Sequence, residues 1–358
     1  MNKLIFVLGV SALSPLALAK PVIATSIKPV SMIVAAIAGD LADIDQIVSS
    51  TASPHDFAMR PSDLKKIHNA DVVVWVGESL EHFLEKPLAN ADKQTSSIEW
   101  MALKDVSLYD RSKQNKAYEG HEGHDDHEGH EGHEGHEGHE GHEGHEGHEG
   151  HEGHEGHEGH EGHEGREGHD DHEGHEGHEE GHEGHNHAGV DPHVWLLPQN
   201  AVVLAKVVAE RMMWLDSANA AYYQGNFAKF EQGLKAKDAE IRKDLSKVSS
   251  VPYIVFHDGY RYFEQHYGLN NAGAVTVSPE RKPGAKKVAE IRHEIEENKI
   301  QCVFAEPQFS PAIVKTLLDG TNVKSGVLDP LGSTIKVEMN AYYTFLDSLK
   351  GQYLNCLE

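Results

Sequence analysis

The chain reads as an α/β protein of two βαβ lobes with parallel sheets joined by a long rigid helix, and three observations carry that expectation. Short apolar runs alternate with helical stretches in two separate parts of the chain. A proline-free helical segment of about 30 residues lies between those parts. A polar tract at 119–187 interrupts the first part, and without it and an amino-terminal leader about 270 residues remain, enough for two ordinary lobes.

In chain order, residues 1–19 read as a secretory signal peptide. Lys3 supplies the positive start, Leu4 to Leu13 the apolar stretch, and Ala17-Leu18-Ala19 the small-residue cleavage site. A short membrane anchor is the competing reading, but the apolar run falls short of the ~20 residues a spanning helix needs. The product is therefore expected to be exported and not to span a membrane.

The first lobe is expected over 20–216. Its strands are Val22 to Ile27, Ile44 to Val48 and Val72 to Val76, with helices at Val30 to Ile37 and Pro61 to Asn69. Asn200 to Trp214 continues in helical spacing, and 217–248 follows as the linking helix. At 1.5 Å per residue that helix is roughly 45 Å long, better suited to bridging two lobes than to a crossover within one. A partner-binding amphipathic helix is the other reading. The second lobe, 249–358, repeats the alternation. Tyr253 to Phe256, Ala274 to Val277, Cys302 to Ala305 and Gly326 to Leu328 read as strands, with helices at Tyr260 to Tyr267, Gly284 to Asn298 and Pro311 to Leu318.

The tract is almost wholly a Glu-Gly-His repeat and holds 22 of the 29 histidines and 25 of the 58 acidic residues. Imidazoles at every third position, His121, His124, His127 and His130 through His182, His185 and His187, offer many borderline-soft ligands beside carboxylate oxygens, a composition suited to loose binding of Zn(II). A merely solvated acidic spacer is the duller account, and it leaves the imidazoles without a purpose. Lacking aliphatic and aromatic residues from His121 to His187, the segment cannot offset backbone ordering and is expected to be disordered. It also carries almost all of the formal charge of −26. The rest of the chain is nearly neutral, and neither a nucleic-acid footprint nor a basic membrane-binding face is visible in it.

Seven histidines lie outside the tract. His55 follows the second strand, His193 stands in Asp191-Pro192-His193-Val194-Trp195, and His257 ends a strand. Ligands of open parallel sheets bind beyond the carboxyl ends of strands, where His55 and His257 fall. Asp329 reaches the same edge of the second lobe. Three imidazoles with a carboxylate or a water suit tetrahedral Zn(II), with Asp56 or Asp191 able to orient a ring. Taken singly, His55 and His257 also fit turn or core roles, and Asp191 and Asp329 fit turns before proline. His68, His82, His266 and His293 fall at positions better explained as solvated surface. Cys302 and Cys356 pair most simply with each other in an oxidising compartment, with a shared zinc site as the alternative.

These motifs together resemble the metal-specific periplasmic solute-binding proteins that feed ABC importers, and most closely their zinc-type members. The resemblance rests on Ser53-Pro54-His55-Asp56-Phe57, Arg60-Pro61-Ser62-Asp63, Asp191-Pro192-His193-Val194-Trp195-Leu196, Phe256-His257-Asp258, Pro279-Glu280, Pro283-Gly284-Ala285, Phe304-Ala305-Glu306-Pro307-Gln308-Phe309 and Leu328-Asp329-Pro330-Leu331-Gly332. It implies a metal in the cleft between two lobes, with His55 and His193 from the first and His257 from the second. It further implies delivery of Zn(II) by a monomer to a membrane permease. Manganese-type members have glutamate where His257 stands, which favours zinc. Several relatives use the aspartate matching Asp329 as fourth ligand, whereas Pro54 replaces a glutamate that others have. The Cys302 and Cys356 bridge also looks like a zinc-type feature. A manganese or nickel binder, a metal buffer and an adhesin are the neighbouring readings. A catalytic zinc hydrolase is disfavoured, because no HExxH helix or general base is evident.

Overall fold

The structure, a computed structural model, describes residues 19–110, 189–276, 284–310 and 312–358. The expected leader up to residue 18, the tract at 119–187 and the Pro279-Glu280 motif lie outside those residues.

The first sheet is built from β1 (Val22–Thr25), α1 (Lys28–Ala38), β2 (Asp43–Gln46), α2 (Pro61–Asn69), β3 (Val72–Trp75), α3 (Glu78–Glu81), α4 (Glu85–Asn90) and β4 (Ile98–Glu99). Its strands run parallel in the order β2-β1-β3-β4. Position in the sheet explains the residue pattern. The interior strand β3, Val-Val-Val-Trp, is buried throughout, whereas edge strand β2, Asp-Ile-Asp-Gln, leaves Asp43 and Asp45 exposed. Proline at the first position starts α2, and the Asp63 carboxylate accepts the Arg60 backbone N–H at 3.0 Å, closing its first turn.

Two long helices follow, α5 (Pro198–Leu215) and α6 (Ala220–Leu245), antiparallel neighbours that pack on each other. Asp216 ties their junction by accepting Asn219 Nδ2 and the Tyr223 hydroxyl, both at 2.7 Å. The 26 residues of α6 span about 39 Å. This helix is no bare strut, because it packs on α1 and α5 and carries the chain from the first sheet to the second.

The second sheet comprises β5 (Tyr253–His257), α7 (Arg261–Tyr267), β6 (Asn271–Thr276), α8 (Ala285–Glu297), β7 (Cys302–Ala305), α9 (Ala312–Leu318) and β8 (Lys324–Val327), closed by α10 (Ala341–Leu357). Its parallel order β6-β5-β7-β8 repeats that of the first. One face packs under α8 and α9 through Ile254, Phe256, Val303, Ile291 and Leu317. The other, through Tyr253, Val255 and Phe304, joins a core that runs without a break into the first sheet. Helix α1 lies inside that shared core with every residue but Lys28 buried, which accounts for its apolar composition on all sides. It contacts α5, α6 and α10.

Cys302 and Cys356 form a disulfide with Cα atoms 6.0 Å apart, fastening α10 to β7. Glycine at 326 permits that approach, since a Cβ there would stand 2.6 Å from the Phe304 ring and 3.1 Å from Cys356 Cβ. Among the described residues, no helix is long and apolar enough to cross a membrane.

A candidate metal centre of three imidazoles

In each sheet the chain leaves its first strand to one side, returns, and continues on the other. The crevice between β5 and β7 is such a reversal point, the place where open α/β sheets bind ligands. His257, the last residue of β5, and Glu306, the first after β7, stand on either side of it. Glu306 Oε1 accepts the His257 backbone N–H at 3.3 Å and faces His257 Nδ1 at 2.5 Å.

From the first lobe come the other two rings. His193 immediately precedes the 3-10 turn Val194–Leu196 that leads into α5. Asp191 Oδ1 accepts its backbone N–H at 3.1 Å and faces Nδ1 at 2.7 Å. Asp191 is itself anchored: its N–H donates to Tyr109 O at 2.8 Å and its carbonyl accepts the Tyr262 hydroxyl at 2.8 Å. His55 lies on the β2 to α2 connection, where its N–H donates to Ser53 Oγ at 3.2 Å. His193 and His257 are 1% and 3% exposed, and His55 is half-buried.

The three rings form a near-equilateral triangle with centroids 5.3, 5.6 and 5.1 Å apart. One nitrogen from each falls in a group whose atoms all lie within 4.8 Å of one another. His193 Nε2 and His257 Nε2 face each other at 3.1 Å. Each neutral ring that donates its Nδ1 hydrogen to its carboxylate must present a lone pair at Nε2, so two acceptors point at one spot. A cation bound to both reconciles them, as does a water donating to both. Ligands of one tetrahedral Zn(II), each at ~2.0–2.1 Å, stand about 3.3 Å apart, close to the separation here. A proton competes with a metal for that place. Burial lowers the pKa of His257, but the charge of Glu306 and its hydrogen bond override burial and raise it above the ordinary imidazole value.

The surrounding cavity, walled also by Trp195, Phe309 and Pro330, is narrow enough for one ion or water. Trp195 is held by its Nε1 bond to Pro330 O at 2.8 Å. Gly259 of the second lobe approaches both rings. A Cβ at that position would stand 2.2 Å from His257 Nε2 and 2.9 Å from His193 Nε2, in the volume an ion bonded to both would fill.

Asp329 is placed otherwise than the three rings. It lies two residues past the end of β8 and outside the triad's group. Its Oδ1 accepts Leu331 N and Gln308 Nε2, both at 3.2 Å, and its Oδ2 accepts Ser333 N at 2.6 Å and Ser333 Oγ at 2.7 Å. Of the two carboxylates weighed for ring orientation, Asp191 meets a ring and Asp56 is exposed. His68, His82 and His293 are exposed as expected, whereas His266 is half-buried and bonded to Asp238 Oδ1 at 2.6 Å. The tract positions His121, His124, His127, His130, His182, His185 and His187 lie outside the described residues. Glu306 and Gly259 had no assigned role in the sequence reading. The signal for Glu306 was its place one residue after a strand that pairs with the strand ending in His257.

Two parallel α/β lobes around a shared core, with an ion-sized site where their strand ends meet, define a metal-binding solute receptor. The family model for the periplasmic component A of the zinc-uptake complex matches residues 23–352. The high-affinity zinc uptake system protein ZnuA of Haemophilus influenzae is 41% identical over 98% of this chain and 98% of its own, and that of Yersinia pestis 34% identical over 96% and 94%. The chain belongs to this ZnuA family of periplasmic zinc-uptake components. Among solved structures, a crystal structure of ZnuA aligns with a TM-score of 0.67 at 19% identity, over 95% of this chain and 100% of the other. A laminin-binding adhesin of Streptococcus agalactiae aligns at 0.62 and 19%, over 94% and 99%, a likeness of fold.

Proposed function

We propose that the chain captures a single Zn(II) between His55, His193 and His257 in the periplasm and hands it to the membrane permease of an ABC importer. The observation that carries this is the pair of Nε2 atoms held face to face at 3.1 Å, each on a ring whose other nitrogen meets a buried carboxylate. That backing fixes the tautomer and raises ligand basicity, as outer partners of metal-bound histidine do. Two anionic partners also balance the charge of a divalent ion in a buried place. Three nitrogens suit zinc better than manganese, which prefers oxygen. Capture and release need no chemical conversion.

The leader at 1–19 supports export, and membership in a periplasmic family supports the compartment. The histidine-rich tract is proposed, on composition alone, as a low-affinity collector that raises the local supply of Zn(II). The chain is proposed to act as a monomer. Elemental analysis of the purified protein tests the assignment: the wild type should carry one tightly held zinc that survives dialysis, and His257→Ala should lose it. Retention of that zinc by His257→Ala would sink the three-imidazole site. Failure of the gene to restore growth under zinc starvation, with binding intact, would sink delivery to an importer.

A further inference from the structure

We infer that Gln308 is a specificity-determining residue, which keeps the Asp329 carboxylate out of the ion's reach and so holds the site to three nitrogens. The inference rests on the three-imidazole reading above and extends it. Gln308 lines the metal cavity, whereas Asp329 does not. The side-chain amide therefore touches both the ion's cavity and the Asp329 carboxylate, an acid that does not line it. Its two N–H groups are both committed to acceptors, Asp329 Oδ1 at 3.2 Å and Ser50 O of the first lobe at 3.3 Å. That arrangement assigns the amide unambiguously, since both neighbours can only accept. The remaining Gln308 atom, Oε1, is buried and has no hydrogen-bond partner among the described residues.

The acid behind it is fully occupied. A carboxylate offers about four lone-pair positions, and Asp329 fills four with Gln308 Nε2, Leu331 N, Ser333 N and Ser333 Oγ. The turn it organises presents Ser333 O to the first lobe, where that oxygen accepts Lys28 Nζ at 2.8 Å and Ser50 Oγ at 3.4 Å. Asp329 is thus engaged in holding the lobes together. Freed to coordinate, it would add a hard, anionic oxygen to three imidazoles and shift preference towards oxygen-seeking ions such as Mn(II). Gln308 opposes this by occupying Oδ1 with an N–H from the wall of the cavity.

The test compares Zn(II) and Mn(II) affinities by competition titration, and the visible spectrum of the Co(II) form, in full-length wild type, Gln308→Ala, Asp329→Asn and the double variant. In the wild type, Asp329→Asn should change zinc affinity by less than about threefold and leave the four-coordinate cobalt bands unaltered. Gln308→Ala should raise Mn(II) affinity relative to Zn(II) by about tenfold or more and weaken the cobalt bands as coordination number rises. Adding Asp329→Asn should reverse both changes. Should Gln308→Ala fold poorly, Gln308→Met keeps the volume, removes the donors, and must raise the Mn(II) to Zn(II) ratio. The inference is overturned if Asp329→Asn alone weakens zinc about tenfold, which would make the acid a ligand already, or if the folded Gln308 variant moves neither ratio nor spectrum. Zinc retained tightly by His257→Ala would sink the underlying site instead, a result separable because the Gln308 readouts compare metals on the same three rings.

Discussion

Replacing Glu81 with glutamine will stabilise the protein at about pH 8 and change little at about pH 5, because this carboxyl is buried in the protonated form. Glu81 ends α3 with no exposure to solvent, and its Oε2 accepts Val76 N at 2.8 Å and Gly77 N at 3.4 Å. Burial raises its pKa from 4.5 to about 7; Ser26, Val76 and Gly77 offset this in part by favouring the charged form, and Glu99 adds to the rise. Ser26 Oγ contributes by proximity, without hydrogen-bond geometry. Between pH 4.5 and about 7 the folded protein holds a proton that the unfolded chain has released, so stability falls as pH rises through that window and levels off above it. A rise of that size corresponds to about 3 kcal/mol. Glutamine has the same shape, offers Val76 and Gly77 the same acceptor, turns an N–H towards Ser26, and has no proton to lose. Urea denaturation of metal-free protein across the window is the assay. Glu264, also pushed up to about 7 by burial against the offsetting bonds of Asn271 and Tyr253, titrates alike in both proteins and cancels. If the stability difference between variant and wild type is the same at both ends of the pH range, the reasoning is wrong.

Gly259→Ala should abolish tight zinc binding while leaving the fold intact, read by calorimetry beside circular dichroism; an unchanged affinity would show that the ion sits elsewhere. Glu306→Gln removes the charge behind His257 Nδ1 and should weaken zinc about 10- to 100-fold in the same titration. Replacing Cys302 and Cys356 together with serine opens a link across 54 positions and should cost about 4 kcal/mol in denaturant unfolding, with no change in zinc stoichiometry at the tight site. Deleting 119–187 should leave one tight site and remove the weak ones, so loss of the tight site would refute the division of labour proposed for the tract.

The alternation that led from sequence to two parallel lobes was strong where burial is complete. Cys302–Ala305 and Pro61–Asn69 have the bounds read from pattern, because one is an interior strand and the other is opened by proline. Edges were harder. β6 begins at Asn271, earlier than its apolar stretch suggested, and β4 is two residues long, too short for any period. The three histidines were legible as strand-end and post-tract residues, but their carboxylate partners were not equally so. Asp191 is two residues from His193, whereas Glu306 is 49 positions from His257 and meets it only through the pairing of β5 with β7. The engagement of Asp329 with Ser333, Leu331 and Gln308 likewise depends on a turn that composition does not encode.

The single apolar interior threaded by α1 has a consequence for unloading. Two halves that share one interior cannot swing apart like the jaws of a clamp without exposing it to water, so loaded and empty forms should scatter X-rays almost identically. A membrane partner then cannot sense cargo through a change in overall outline. On the proposed three-ring site, the most exposed of the three rings is His55, and displacing it would be the least costly way to let the ion go.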